Sequence, residues 1–468
     1  MAQPVLIAVG GSGQNVLAAY LRLAAMAGFP PAICYVLDSD NKGPQFRALS
    51  DLERRVRGLI GGSHNSRWMI NPFPVDRSGL RSFGELFSHP NAQSRQVFEC
   101  LFSEEAEKTS IRDGMYGRPA IGATSMRLKL ERDDDDLREM KRMLEGDQRH
   151  IVLVGSCFGG TGSGVVPILA QEFSRLSREP GFDLRVQSLV FLPWFRLELP
   201  EGDMEQDQRL LHDHLDRNFE PNAASSIRFF KDTLRDYVET VVFLGMRDPS
   251  TVRRQSQEWR QSEAVHALNL LAAVLVHNLF AGHVQAPRGI TGYWYDPEKG
   301  LDAPHLEVAA GKKPTVLTQV IRRGALHQRW MEILEVFFRN YPKIPPFHRP
   351  LFLDLALERM RDRSVEESEL TDEIAKFFAE GKEAHAEIQE WIDSMVDKSF
   401  FLLEAEEKQL QSAEYRSLLR DPLPFIKYWT DDEDTVRKFD DTEFAHPRVF
   451  AARFAERFLG YVNDHLAQ

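Results

Sequence analysis

The segment from His150 to Ala170 constrains the fold most, because it joins an apolar run, a glycine-rich turn and a helical pattern. Its first part, Ile151 to Gly155, is continuously apolar, which is typical of a strand buried on both faces of a parallel sheet. Four glycines lie within residues 159–164. Because glycine has no Cβ, such a turn lets several backbone N–H groups approach a phosphate at a helix N-terminus. An ordinary tight strand–helix turn is the alternative interpretation.

A similar unit stands at the start of the chain. Pro4 to Val9 predicts a strand, Gly10 to Asn15 a glycine-rich loop, and Val16 to Met26 a helix with regular apolar spacing. The dinucleotide-binding spacing G-x-G-x-x-G is not met, because residues 14–16 contain no glycine. The loop nevertheless predicts a second phosphate-cradling turn.

Carboxylates follow the next predicted strand, Ile33 to Leu37, at Asp38 and Asp40. The carboxyl end of a parallel strand is the edge at which such sheets bind ligands. In a dinucleotide-binding fold one of these carboxylates would accept a ribose hydroxyl. An exposed turn with a local cap is the alternative.

The segment GGTGSG at residues 159–164 resembles the phosphate-binding signature of the tubulin/FtsZ superfamily. The first glycine loop and Pro193-Trp194-Phe195 also resemble segments of that family, and the resemblance covers about residues 4–282. It implies a doubly wound α/β nucleotide-binding domain joined by a long central helix to a second domain. The phosphate-binding residues that it implies are Gly10, Gly11, Ser12, Gly13, Gly159, Gly160, Thr161, Gly162, Ser163 and Gly164.

The same resemblance implies residues for the rest of a nucleotide. Gln14 and Asn15 would lie near the phosphates or base. Glu220, in Glu-Pro-Asn-Ala, would hold the ribose, although its spacing is one residue shorter than in tubulins, and Pro221 beside it predicts the start of a helix. Trp259 and Glu263 lie four residues apart and so share a helix face. There the family stacks an aromatic ring on guanine and binds the Watson–Crick edge of the base. A carboxylate can accept both N1–H and N2–H of guanine, which favours GTP or GDP, whereas core packing of Trp259 with Glu263 at the surface is the alternative.

Two further residues are placed near the phosphates and an accompanying Mg²⁺ by the resemblance. Asp40 matches an Asp of the family, and Arg118, in a glycine-punctuated loop, would reach a γ-phosphate. An ordinary surface loop is an equal alternative for Arg118. No metal ligand is assigned directly.

Hydrolysis in this family depends on carboxylates in the loop after the central helix, which complete the site of the next subunit. Residues 283–300 contain Asp296 and Glu298 but not the family's Asn-x-Asp motif. Either these two act in trans as catalytic residues, or the protein binds nucleotide with little turnover.

The C-terminal part departs from the family pattern. Leu306 to Ala309 and Thr315 to Val320 predict a strand pair, Ile321 to Asn340 predicts a helix, and four prolines between residues 342 and 350 mark a boundary. The region beyond is mostly amphipathic helix, in which helical spacing predicts inward positions at Ile374, Phe377, Phe378 and Ile388 and one shared face for Phe450, Phe454 and Phe458. The predicted domains are a tubulin/FtsZ-like GTP-binding domain (1–253), a central helix (254–282), a remnant or divergent second domain (283–341) and a helical C-terminal region (342–468).

Net charge and composition argue against several classes of partner and location. The formal net charge of −12 argues against general nucleic-acid or anionic-membrane binding. Three well-separated cysteines predict a reducing compartment. We see no signal peptide, and polar residues interrupt the longest apolar stretch, so no membrane span is expected. A cytoplasmic location follows.

We therefore predict a GTP-binding, tubulin/FtsZ-like protein that assembles in a nucleotide-dependent way and hydrolyses GTP. In the hydrolytic case a water molecule attacks the γ-phosphate in line, and the glycine loops and Mg²⁺ stabilise the charge that develops. A non-polymerising, nucleotide-gated scaffold that binds a partner protein through its helical region is the main alternative. A dinucleotide-dependent oxidoreductase using Gly10 to Gly13 and Asp38 leaves the second glycine loop unexplained. No Walker A motif occurs, which excludes a P-loop NTPase.

Overall fold

The computed structural model divides the chain into two compact units. Unit 1 comprises Met1–Tyr20, Pro30–Glu53 and Arg67–Lys313, and unit 2 comprises Leu21–Phe29, Arg54–Ser66 and Pro314–Gln468. The predicted boundaries at residues 253, 282 and 341 stay predictions. The structure describes residues 3–27, 32–38, 44–59, 70–72, 82–87, 92–109, 117–132, 135–198, 206–234, 238–246, 250–253, 267–281, 289–296, 300–302, 316–361, 365–393, 422–430, 439 and 441–466.

A mostly parallel sheet forms the centre of unit 1. Among the described residues the strands are β1 (Gln3–Val9), β2 (Ile33–Leu37), β3 (Ile70–Pro72), β4 (Arg149–Ser156), β5 (Leu184–Phe191), β6 (Phe195–Glu198), β7 (Thr240–Met246), β8 (Ser250–Arg253), β9 (Gly289–Asp296) and β10 (Gly300–Asp302). The main sheet has the order β10-β9-β7-β5-β4-β1-β2-β3, in which only β10 is antiparallel to its neighbour. Strands β6 and β8 form a separate parallel pair. The predicted doubly wound α/β class is confirmed.

Helices accompany the strands of unit 1 and form most of unit 2. Those described are α1 (Gly10–Ala27), α2 (Pro44–Leu59), α3 (Ala92–Leu101), α4 (Glu104–Lys108), α5 (Pro119–Arg132), α6 (Asp135–Leu144), α7 (Gly160–Leu176), α8 (Gln206–Phe229), α9 (Ala267–Ala281), α10 (Val316–Asn340), α11 (Leu351–Met360), α12 (Glu367–Asp393), α13 (Leu423–Thr430) and α14 (Pro447–Leu466). No helix within the described part of the chain is both long enough and apolar enough to cross a membrane.

The central strands of the sheet are apolar because they are buried on both faces. Val5 to Val9 of β1 and Ile151 to Val154 of β4 have no exposed surface. Helix α9, the described part of the predicted central helix, is likewise buried from Leu268 to Val276. An apolar side chain buried in this way stabilises the fold by about 1.5–3 kcal/mol.

Unit 2 has an aromatic core of its own. Helices α10, α12 and α14 pack together around Phe338, Phe378 and Phe454. The ring centroid of Phe338 lies 5.5 Å from that of Phe378 and 5.5 Å from that of Phe454. The predicted inward positions of the C-terminal helices are confirmed for Ile374, Phe377, Phe378, Ile388, Phe450, Phe454 and Phe458, all of which are buried.

Several element predictions were wrong. Residues 316–320 begin α10 and are not a strand, and residues 289–296 of the predicted catalytic loop form β9, paired with β7. Helix α8 begins at Gln206, so that Pro221 lies inside it and not at its start. The predicted strand at residues 306–309 lies outside the described residues.

Candidate active site at the sheet's switch point

The two glycine-rich segments follow neighbouring strands. β1 pairs with β4 on one side and with β2 on the other, so the strand order reverses between β1 and β4. In doubly wound folds this reversal opens a crevice beyond the carboxyl ends of the strands, and ligands bind there. Residues 10–13 and residues 159–164 both lie at this point of the sheet.

The glycines of these segments allow the two segments to touch. Gly10 has a φ of +68°, and a Cβ added there would lie 3.3 Å from the backbone nitrogen of Gly162. A Cβ on Gly162 would in turn lie 2.7 Å from the backbone nitrogen of Ser156. A Cβ on Gly13 would lie 2.6 Å from the carbonyl oxygen of Val154. A side chain on Gly10 would press on the second segment, and side chains on Gly162 or Gly13 would clash with the backbone of β4.

Both segments are the first turns of helices and not loops. Helix α1 begins at Gly10 and α7 at Gly160, with Gly159 as the N-cap residue of α7. The N–H groups of the first turn and the positive dipole end of each helix therefore lie at the same edge of the sheet. Two such ends in contact suit an anion such as a phosphate.

The N-terminus of a third helix, α5, lies against α7. A Cβ on Gly122 would lie 2.6 Å from the carbonyl oxygen of Gly160, and a Cβ on Gly164 would meet the carbonyl oxygen of Pro119. Gly117, two residues before the start of α5, has a φ of +69°. Three helix N-termini thus converge on the switch point, which sequence reasoning missed because Gly122 and Gly160 are distant in the chain.

The hydroxyl residues of the second segment are buried. Thr161 is 8% exposed and Ser163 6% exposed. The Ser163 hydroxyl donates a hydrogen bond to the carbonyl oxygen of Gly159 and so stays within the first turn of α7. A Cβ on Gly10 would lie 3.4 Å from the Cβ of Thr161, which places Thr161 beside the first segment.

Cys157 lies just before the second glycine segment and is fully buried. Burial raises the pKa of its thiol to about 12. The thiol is therefore neutral near pH 7, which removes it as a nucleophile and leaves no thiolate charge to oppose an anion here.

Helix α8 contacts the site through two residues next to Glu220. The amide of Asn222 donates to the carbonyl oxygen of Gly117 at 2.7 Å, and the Phe219 ring lies 4.5 Å from the Phe158 ring, centroid to centroid. Glu220 itself is exposed. Sequence reasoning singled out Glu220 but missed these two contacts, which place its helix beside the second glycine segment. Its role as a ribose ligand stays a prediction.

The other predicted residues have different positions. Gln14 is buried and donates to Asp38, and Asn15 is half-buried. Arg118 is half-buried and donates to the Thr109 hydroxyl. Gly11 and Ser12 are half-buried in the first turn of α1. These roles remain predictions.

Several predicted residues cannot be placed. Asp40, Trp259, Glu263 and Glu298 lie outside the described residues. Asp296 is the last residue of β9, at the carboxyl edge of the sheet. No group of three or more His, Cys, Asp or Glu side chains that could hold a metal ion occurs within the described ranges.

The fold and the site together define a doubly wound α/β protein with an anion-binding geometry at its switch point. No family model and no curated protein matches the sequence. Among solved structures the chain is similar to CetZ2 from Haloferax volcanii, a GTPγS-bound protofilament, with 16% identity and a TM-score of 0.33 over 62% of this chain and 64% of that one.

Two other solved structures show comparable similarity. CetZ1 from Haloferax volcanii, a GDP-bound monomer, is 16% identical with a TM-score of 0.31 over 61% of this chain and 62% of that one. The PhuZ201 filament is 11% identical with a TM-score of 0.28 over 63% of this chain and 67% of that one. The chain thus spans slightly under two thirds of the two Haloferax volcanii proteins. Similarities this low do not assign it to a family.

Proposed function

We propose that this chain binds GTP or GDP, with Mg²⁺, at the switch point, as a tubulin/FtsZ-like protein that assembles in a nucleotide-dependent way. The observation that carries the proposal is the contact between the two glycine segments, where a Cβ on Gly10 would lie 3.3 Å from the nitrogen of Gly162. Backbone N–H groups from two helix starts then surround one point, which matches the needs of a polyphosphate.

The motif resemblance supports a guanine nucleotide in particular. It implies that Gln14 and Asn15 lie near the phosphates or base and that Glu220 holds the ribose. Helix α8, which carries Glu220, contacts the site through Phe219 and Asn222. The base contacts proposed for Trp259 and Glu263 complete this assignment. Competition between GTP, ATP and NAD for a bound fluorescent GTP analogue tests it. Displacement by GTP alone supports the proposal, whereas equal displacement by ATP contradicts the choice of guanine.

Substitution of Gly10 tests the importance of the contact between the two glycine segments. We expect Gly10→Ala to weaken nucleotide binding at least about ten-fold, because its φ of +68° strains an L-residue and its Cβ meets the second segment. Gly146→Ala is the matched control, since its φ is +95° but nothing lies within 4 Å of the added Cβ. Equilibrium titration with the fluorescent analogue measures both. Equal affinity in the Gly10 variant and the wild type would contradict the proposed site.

A second function is favoured by one observation. Residues 289–296, where the resemblance places the catalytic loop, form β9 in register with β7. A strand at this position favours a protein that binds nucleotide with little turnover and engages a partner through unit 2. Because unit 2 has an aromatic core of its own, such a partner would meet a folded helical unit.

The rate of GTP turnover, measured over a range of protein concentrations, separates the two functions. In a polymer one subunit completes the site of the next, so the specific rate rises with concentration and filaments appear by negative-stain imaging. If Asp296 and Glu298 act in trans, Asp296→Asn or Glu298→Gln abolishes this rise but keeps nucleotide binding. Tight binding without turnover or filaments at any concentration supports the second function.

A further inference from the structure

The side chain of Gln14 lies between the first glycine segment and the end of β2. It is 2% exposed, and its Nε2 donates to Oδ2 of Asp38 at 2.7 Å. Its Oε1 is buried and has no hydrogen-bond partner in the described part of the chain. Leaving a buried amide oxygen unpaired costs free energy. The packing therefore holds the Gln14 amide nitrogen on Asp38 even though the amide oxygen is left without a partner among the described residues.

This contact places a carboxylate beside the candidate phosphate site. Val9 of β1 pairs with Leu37 of β2, so Asp38 follows β2 at the level where Gly10 follows β1. Neighbouring strands lie about 4.8 Å apart, and the two strand ends are separated by a similar distance. Asp38 is half-buried. Water therefore only partly screens its charge from an anion bound at the glycine segments.

We propose that Gln14 is a positioning residue that holds the Asp38 carboxylate beside the phosphate site, and that this fixed charge makes polyphosphate binding depend on a divalent cation. The inference rests on the function proposed above and concerns its regulation. A carboxylate and a phosphate about one strand spacing apart, where water screens only partly, repel each other enough to lower nucleotide affinity about ten-fold. A carboxylate oxygen is also a ligand that Mg²⁺ prefers, so Asp38 fits a cation that it shares with the phosphates.

The ratio of the nucleotide dissociation constant in EDTA to that in Mg²⁺ measures this dependence. It is determined by titrating the full chain with a fluorescent GTP analogue, without a catalytic readout. We expect a ratio of about ten or more for the wild type. Asp38→Asn should bring the ratio close to one, chiefly by tightening binding in EDTA. Its amide oxygen can still accept from Gln14, so the variant should fold.

Gln14→Leu should also lower the ratio, because Asp38 loses the hydrogen bond from Gln14 that orients its carboxylate. Gln187→Leu is the matched control. Gln187 is also a buried glutamine, hydrogen-bonded to His150 at 2.7 Å, but it lies towards the amino ends of β4 and β5. We expect its ratio to equal that of the wild type, since loss of a buried hydrogen bond alone lowers stability without changing the response to Mg²⁺.

The outcomes separate the inference from the proposed function. Nucleotide binding by the wild type, with the same ratio in both site variants, overturns the inference and leaves the proposed function intact. A lower ratio in Asp38→Asn but not in a folded Gln14→Leu overturns the positioning role of Gln14. If the wild type binds no nucleotide even in Mg²⁺, the proposed function fails and the inference falls with it.

Discussion

At the scale of single residues, the site depends on glycines, because any side chain at their positions would clash. Gly10, Gly13 and Gly162 each occupy a position where a Cβ would meet backbone atoms of another segment. Backbone cannot move aside as a flexible side chain can, so these contacts tolerate little change. This is why the glycine runs were informative in the sequence. The hydrogen bond between Gln14 and Asp38, by contrast, joins residues of ordinary polar type, and no local pattern predicts it.

Another residue-scale feature is the buried imidazole of His385. It is 1% exposed, its Nδ1 lies 3.0 Å from the carbonyl oxygen of Gly381, and its Nε2 has no hydrogen-bond partner within the described ranges. Burial lowers its pKa to about 4. The unfolded chain has a histidine pKa of about 6.5 and so binds the proton more readily than the folded chain.

We expect this histidine to destabilise the fold in acid. The stability that comes from keeping this histidine neutral is fully present above pH 6.5. As the pH falls towards 4 the free energy of unfolding drops by about 3 kcal/mol in total, because the unfolded chain binds the proton first. His385→Phe should therefore lose less free energy of unfolding between pH 7 and 4 than the wild type does. Denaturant unfolding at several pH values measures this, with the exposed His348→Gln as control. An unchanged pH dependence in His385→Phe would contradict the expectation.

At the scale of elements, the close approach of α5 and α7 brings a third helix N-terminus to the site. Gly122 and Gly164 make the approach possible, since each faces backbone of the other helix. The sequence predicts α7 from the helical pattern after the second glycine segment but not its contact with α5, because small residues in a helix are compatible with many kinds of packing. It also misplaced the start of α8, because Pro221 is typical of a first helical turn and here lies inside the helix.

Gly122→Ala tests the importance of this approach. The added Cβ would lie 2.6 Å from the carbonyl oxygen of Gly160, so one helix must move. We expect the free energy of unfolding to fall by about 1–3 kcal/mol and nucleotide affinity to fall with it, because Gly160 begins α7.

Gly292→Ala is the control for Gly122→Ala, since the nearest atom to its Cβ is 4.0 Å away. Alanine suits a strand better than glycine, so this control should be neutral or slightly more stable. Denaturant titration and nucleotide titration are compared for both variants. Equal stability of the Gly122 variant and the wild type would show that the helices can separate at no cost.

At the scale of the whole molecule, each compact unit has its own buried core. The sequence predicted the sheet of unit 1 well, because continuous apolar runs and glycine turns are local signals. It predicted the inward faces of α12 and α14 from their helical spacing. It failed at residues 289–302, since the pairing of β9 with β7 depends on a partner more than 40 residues away.

Phe454→Ala separates the stability of unit 2 from nucleotide binding. Phe454 is fully buried, and its ring lies 5.0 Å from Trp429, centroid to centroid. Its truncation should lower the free energy of unfolding by about 3–5 kcal/mol, measured by tryptophan fluorescence in denaturant. Phe347→Ala is the control, because Phe347 is 77% exposed and should cost at most about 0.5 kcal/mol. We expect both folded variants to bind nucleotide as the wild type does, and weaker binding by Phe454→Ala alone would contradict this.

The pairing of β1 with β4 has a consequence for synthesis on the ribosome. Val5 pairs with Ile151, nearly 150 residues later in the chain. At about 5–20 residues per second, β1 waits roughly 7–30 s after its own translation before β4 has even been made. One edge of an apolar strand is unpaired throughout that interval, when it is prone to wrong pairing with other nascent chains. The proposed nucleotide site is therefore completed late in folding, and a chaperone that shields the N-terminal strand should raise the yield of binding-competent protein.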